Sequence, residues 1–218
     1  DTDRKVHKSN VIPRLAGCSF LPNIMFALAF TLAVNYLFVF GDAPSAISRV
    51  MPEVLLLICR LILLYLFGIA DDLIGIRYRQ RFRIQIICGL MILMSGLWIN
   101  DLYGLLGLHS IPWWLGMPLT LFFIILAINA INLIDGIDGL ASGLSSIALA
   151  VYGTVFFRDG QLLYALLSFA TLGVLLGFFY YNVVGKENRG RKIFMGDTGS
   201  LTTGMILAFL ALKIGVHD

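Results

Sequence analysis

Long apolar runs, broken by short clusters of charge, glycine and proline, set the first reading of this chain. Seven such runs are visible, at residues 18–40, 52–70, 84–100, 113–131, 140–157, 161–182 and 199–215. They are continuous rather than alternating, and about 17–25 residues long, the length a helix needs to cross bilayer hydrocarbon. A membrane barrel would show segments of about ten residues with alternating polarity instead. The pattern predicts an all-α fold, a polytopic transmembrane helix bundle of about seven spans, in one integral-membrane domain over residues 1–218.

Composition supports the pattern. The chain is 59% hydrophobic and only 13% charged, with a mean hydropathy of +0.88. A soluble domain carries about 25% charged residues. Cys18, Cys59 and Cys88 fall in or beside apolar runs without metal-ligand spacing, and read as small buried hydrophobes. The opening Asp1-Thr2-Asp3-Arg4-Lys5 has no h-region behind it, and no initiator Met precedes it. With the chain ending just after the last apolar run, 199–215, the expectation is a piece of a longer protein cut at both ends.

Charge gives direction. Arg4, Lys5, Lys8 and Arg14, then Arg77, Arg79, Arg81 and Arg83, then Lys186, Arg189, Arg191 and Lys192 fall between runs on one side, which is 12 of the 16 Lys and Arg. Positive loops face the cytoplasm. Asp71, Asp72, Asp135, Asp138 and Asp197 fall on that same face, from three separate loops. Asp42, Glu53, Asp101 and Asp159 fall on the other, in short turns without a motif. Arg60 lies within a run and either faces the bundle interior or snorkels. Trp98, Trp113 and Trp114 flank the loop at 100–112, as an interfacial aromatic belt does.

Three stretches carry candidate chemistry. Asp71-Asp72 places two repelling carboxylates at a helix C-terminus, where the macrodipole also opposes them. They form either a metal–phosphate site, with one Asp as base, or a solvated helix end balanced by Arg77 and Arg79. Asn129, Asn132, Asp135 and Asp138 recur every three residues, with Gly136 and Gly139 interleaved. On a helix that spacing keeps neighbours on one face. Amide and carboxylate oxygens suit Mg²⁺, nucleotide hydroxyls or base edges, and an Asp-Gly turn is the plain alternative. Phe194-Met-Gly-Asp197-Thr-Gly-Ser200 leads into the last run. Thr198 or Ser200 caps that helix, and its free N–H groups face a phosphate. The alternative is an Asp cap in a glycine turn. Gly173 and Gly177 read as helix packing rather than chemistry.

Together these stretches resemble one family, the polyprenyl-phosphate N-acetylhexosamine-1-phosphate transferases. The resemblance rests on Arg4-Lys5-Val6-His7 with Ile12-Pro13-Arg14, on Asp71-Asp72, on Asn129 to Gly139 and on Phe194 to Ser200, in that order along the chain. It implies transfer of N-acetylhexosamine-1-phosphate from a UDP-N-acetylhexosamine to polyprenyl phosphate, with release of UMP. By motif, Asp197 and Asn132 would hold Mg²⁺, or Mn²⁺ in its place. Asp71 and Asp72 would orient or deprotonate the lipid phosphate and help hold the metal. Asp135, Asp138, Asn182 and Phe194 would line the nucleotide-sugar pocket, with Asp138 on the uracil edge and Phe194 stacked on the ring. Lys5, His7 and Arg14 would lie near the lipid phosphate.

The first block looks like that of GlcNAc-type initiators rather than the phospho-MurNAc-pentapeptide translocase. The resemblance also implies a bacterial inner membrane, a cytoplasmic active site, contact with membrane lipid and no nucleic-acid partner, and it leaves a homodimer open. The family's first and closing spans and its His-rich cytoplasmic loop fall outside these 218 residues. Two alternatives stand beside the transferase: a cation transporter with a carboxylate path, and a non-catalytic truncated scaffold.

Overall fold

A computed structural model describes residues 15–38, 44–104, 109–185 and 191–215. After a 3₁₀ turn at Ala16–Ser19 it contains seven α-helices: α1 (Phe20–Phe38), α2 (Pro44–Ile74), α3 (Tyr78–Met94), α4 (Trp113–Ile134), α5 (Leu140–Arg158), α6 (Leu162–Phe179) and α7 (Gly196–Gly215). A π-turn, Tyr180–Val184, extends α6. Among the described residues, six of the helices are long and apolar enough to cross a membrane, and α3 is the one outside that set. The chain is a multi-pass membrane protein.

Apolar residues cover the outside as well as the core. Phe26, Phe122, Ile147 and Phe157 are all exposed. Such an exterior is stable only against lipid, which is as apolar as the side chains it touches. The interior carries the polar groups instead. Ser168 and Thr171 donate to carbonyls four residues back, and so does Thr202, which satisfies each hydroxyl inside its own helix.

The bundle is built around α7. In its most apolar stretch 78% of the residues are buried, against 22–39% in the other five spans. Helices α2 and α4 pack directly on it, α3 closes against α2 and α4, and α5 and α6 pair beside them. Small residues allow the closest approach. A Cβ on Gly68 of α2 would lie 2.5 Å from the Thr198 Cα of α7.

Polar side chains gather at the two ends of this core. One end holds Asp71, Asp72, Asn132 and Asp197. The other holds Glu53, whose Oε2 accepts from Tyr164 Oη at 3.0 Å and from Lys213 Nζ at 3.2 Å. From Glu53 to Asp72 is nineteen residues of α2, about 28 Å of helix and close to the hydrocarbon thickness. Glu53 thus lies within a helix rather than in the short turn expected for it. Trp113 and Trp114 are exposed at its end of the bundle. Arg60 takes the interior alternative: it is fully buried, with its guanidinium 4.7 Å from the Phe209 ring centroid.

Other expectations change as well. Of the cysteines expected to be buried, Cys88 is, but Cys59 is exposed on the outer face of α2 and Cys18 is half-buried. The third run, expected at 84–100, is a helix six residues earlier at each end. Arg79, Arg81 and Arg83 are therefore helical rather than loop residues, because the start of α3 is wet and its polar residues hide the helix from a hydropathy reading. Gly173 and Gly177 do not pack a helix among the described residues: no atom lies within 4 Å of a Cβ at either. They line an open groove of about 550 Å³ between α1 and α6.

Candidate active site

Three corners of the chain bring the acidic residues to one point. The first closes α2. Gly75 sits in the left-handed region at φ +65° and donates its N–H to the Asp71 carbonyl at 2.9 Å, a helix C-cap that favours glycine. The Asp71 side chain then accepts the Ile76 N–H at 2.7 Å. The chain is thereby turned at once into α3, whose first turns carry Arg81.

The second corner starts α7. Asp72 Oδ1 accepts the Asp197 N–H at 2.7 Å. Its Oδ2 accepts the Thr198 N–H at 2.9 Å and the Thr198 hydroxyl at 2.6 Å. The cap of α7 is thus a carboxylate from another helix, and the expectation that Thr198 or Ser200 caps it gives way. The hydroxyl of Ser200 instead donates back to the Gly196 carbonyl at 3.0 Å. The free N–H groups expected to face a phosphate are also taken. Asp72 holds two, and a bond from Gly196 reaches Asp135. The close approach at Gly68, one turn before Asp72, is what lets α2 reach α7.

The third corner ends α4. Asn132 Nδ2 donates to Asp197 Oδ1 at 2.6 Å and to Ser200 Oγ at 2.8 Å. These two residues lie 65 positions apart, and the fold places them in contact. Asp135 follows at the helix end, and its pKa is pushed up from 3.8 to about 7. Burial is the largest cause, the Asp197 carboxylate the next, and the Gly196 N–H opposes both.

Arg81 joins the corners. Its Nε pairs with Asp71. Its two terminal nitrogens fork onto Asp197, Nη1 to Oδ1 at 3.2 Å and Nη2 to Oδ2 at 3.0 Å. One guanidinium therefore neutralises carboxylates from α2 and α7. In sequence Arg81 is one of twelve basic residues near the carboxylates, a few of which are expected to grip phosphate, and nothing singles it out by type. Its legible signal was position: it stands one helical turn from Gln85, an amide in an apolar run.

The remaining expected residues form a second wall. Asp138 pairs with Lys192 at 2.7 Å and keeps 44% of its side chain exposed. Lys192 also lies 5.8 Å from the Phe194 ring centroid. Asn182 is buried and uses both ends of its amide on backbone, accepting from Gly139 N–H at 2.7 Å and donating to the Ile193 carbonyl at 2.9 Å. It staples the Asp135–Gly139 turn to the segment that carries Lys192 and Phe194. Lys5, His7 and Arg14 lie outside the described residues.

As a donor set, the site is hard and anionic. Among the described residues, no three His, Cys, Asp or Glu side chains group tightly enough to hold a metal by themselves. Asp71 and Asp197 nevertheless face one shared cation, the Arg81 guanidinium. Asp197 keeps 23% of its side chain exposed, whereas Asp71 keeps none. One open carboxylate plus substrate phosphate oxygens is an arrangement that Mg²⁺ accepts, so Asp197 fits that ion.

Known proteins resemble this chain over most of its length. The profile of glycosyl transferase family 4 matches residues 54–215. A probable undecaprenyl-phosphate N-acetylglucosaminyl 1-phosphate transferase from Bacillus subtilis is 33% identical over 219 residues, covering 97% of this chain and 53% of the relative. An undecaprenyl-phosphate alpha-N-acetylglucosaminyl 1-phosphate transferase from Salmonella typhi is 34% identical, covering 96% of this chain and 53% of the relative. A phospho-N-acetylmuramoyl-pentapeptide-transferase from Streptococcus equi subsp. zooepidemicus is 33% identical, covering 93% and 59%. The chain spans about half the length of the curated relatives it matches.

Proposed function

The chain belongs to glycosyl transferase family 4, and from that membership we propose that its protein transfers N-acetylhexosamine-1-phosphate from a UDP-sugar to polyprenyl phosphate. GlcNAc-1-phosphate is the first choice of donor group, on the Arg4-to-Arg14 block and on the names of two relatives. The reaction lies at the cytoplasmic face of a bacterial inner membrane. An oxygen of the lipid phosphate bonds to the β-phosphorus of the UDP-sugar, and UMP leaves with the electrons of the broken phosphoanhydride bond.

The observation that carries this reading is convergence. Asp71 and Asp72, Asn132 and Asp135, and Asp197 come from α2, from the end of α4 and from α7 to one end of the bundle, around one guanidinium. Phosphoryl transfer between two anions needs neutralised charge and held geometry more than covalent chemistry by the protein. Asp197 would hold Mg²⁺, or Mn²⁺, with Asn132 orienting that carboxylate through its amide nitrogen, while Asp71 anchors Arg81 beside it. That ion supplies charge neutralisation at the diphosphate. Arg81, with its fork on Asp197 and its Nε on Asp71, holds positive charge beside the phosphates. Asp72 acts mainly through α7, whose first turn it holds. Asp135, Asp138 and Phe194 line the nucleotide side and Asn182 braces it, while the family resemblance assigns Lys5, His7 and Arg14 to the lipid phosphate. The cation-path alternative loses ground, because Glu53 at the far end is paired with Lys213 rather than part of a chain of free acids.

The test is UMP release by the full-length protein in detergent. Release is expected to require UDP-GlcNAc, polyprenyl phosphate and a divalent cation together. Asp197→Ala is expected to lower it by roughly 100-fold or more, the scale of losing a charge-stabilising group. Unchanged turnover in that variant would overturn the site, and no release under any combination would overturn the function.

A further inference from the structure

Helix α3 brings Arg81 to the carboxylates. Apart from a weak Cys88 Sγ contact to the Arg60 carbonyl at 3.7 Å, the buried face it turns to α2 and α4 below Gln85, formed by Cys88, Gly89 and Ile92, is apolar. Ile86, Ile87 and Leu90 of α3 are exposed, and lipid holds an apolar face no more tightly in one orientation than in another. A slip of one residue turns a helix by about 100°, enough to aim Arg81 away from Asp197. Something directional must set the register.

We infer that Gln85 of α3 and Asn129 of α4 form that device, as a pair of positioning residues for the site above. Asn129 Nδ2 donates to Gln85 Oε1 at 2.7 Å, and Gln85 Nε2 donates back to Asn129 Oδ1 at 3.3 Å. The second Asn129 hydrogen is taken by the Ile125 carbonyl at 2.7 Å. Gln85 is wholly buried. The reciprocal amide pair therefore has one geometry, unlike the apolar contacts around it. Gln85 lies one turn from Arg81, about 6 Å, and Asn129 lies about 4.5 Å from Asn132. The two helices thus carry two rungs. In the upper rung Arg81 and Asn132 both hold Asp197, and in the lower rung Gln85 and Asn129 hold each other. The lower rung sets the height and rotation at which the upper one closes.

This inference rests on the transferase reading for its effect on rate, but not for its effect on register. The experiment uses the full-length protein with two changes at the pair. In Gln85→Met with Asn129→Leu, both partners become apolar at similar volume, which leaves stability near neutral. UMP release from UDP-GlcNAc is expected to lose kcat by about 10- to 100-fold, the scale of a small misplacement, with KM changed far less. In Gln85→Asn with Asn129→Gln, the amides exchange lengths and the bond re-forms, so kcat is expected to recover. Spin labels at positions 78 and 137, with Cys18, Cys59 and Cys88 replaced by Ala, report register directly. Their distance distribution is expected to broaden in the apolar pair and narrow again in the exchanged pair. A narrow distribution in the apolar pair, or full kcat in it, overturns the inference. If the parent protein releases no UMP, the transferase reading falls on its own, and the distance distribution still decides whether the pair sets register.

Discussion

Arg81 is the residue on which charge balance at the site turns. The Asp71 side chain is fully buried, while 30% of the Arg81 side chain is exposed. Breaking a buried ion pair costs about 3–5 kcal/mol, chiefly because one charge is left behind. Part of that is relieved here by solvent at Arg81. Arg81→Ala is expected to lower the melting temperature in detergent and to remove UMP release. Arg81→Lys keeps the charge but not the fork. It is expected to recover most of the melting temperature while kcat stays about 10-fold down, a split that thermal unfolding and initial rates together resolve. Asp135 gives a second residue-scale prediction, on pH. Its folded pKa of about 7 lies above its ordinary 3.8. Between those values the folded state binds more protons than the unfolded one, so stability falls as pH rises. The full stability is present below about pH 4, and the loss is complete above about pH 7. Asp135→Asn in chelator-treated protein is expected to flatten melting temperature against pH in that window. A slope equal to that of the parent would refute the assignment.

At the scale of elements, the contact that organises the site is α2 against the start of α7. Asp72 ends one helix and caps another. A carboxylate at a helix C-terminus is unfavourable with its own macrodipole, which marked the Asp71-Asp72 pair as odd in the sequence. The compensation, the positive end of α7, lies 125 residues away and was not legible there. Gly68 makes the approach possible. Gly68→Ala would set a Cβ 2.5 Å from Thr198 Cα, a backbone atom that cannot swing aside. The expected cost is about 1–3 kcal/mol, as for overpacking elsewhere, and kcat is expected to drop with it because Asp72 and Asp197 part. Ser142→Ala, on the buried face of α5, serves as the control with no such effect on rate. Helix α3 shows the other limit of reading elements from sequence. Its arginines broke the apolar run, so hydropathy displaced the helix by six residues and made Arg81 a loop charge. Periodicity would have served better, since Arg81, Gln85 and Cys88 fall on one helical face.

At the scale of the molecule, one asymmetry connects fold, charge and chemistry. The acidic corners, the basic residues Arg81 and Lys192, and the exposed Ile137 lie at one end, and Glu53, Lys213, Trp113 and Trp114 lie at the other. Run lengths and the positions of Lys and Arg made that polarity legible in the sequence, because each run forces the chain to change sides. Which acid meets which donor was not legible, because it depends on helix rotation and on close approaches such as that at Gly68. The polarity leads to a prediction independent of catalysis. Ile137 and Trp114 are exposed at opposite ends, at 62% and 63%. A single cysteine at each position, with the native cysteines replaced, reports sidedness to a membrane-impermeant maleimide. Ile137→Cys is expected to stay unlabelled in intact cells or right-side-out vesicles and to label in inverted ones. Trp114→Cys is expected to show the reverse. Labelling of Ile137→Cys from outside would invert the protein. The carboxylates would then lie away from a cytosolic nucleotide sugar, and the transfer proposed here would have no donor on its side of the membrane.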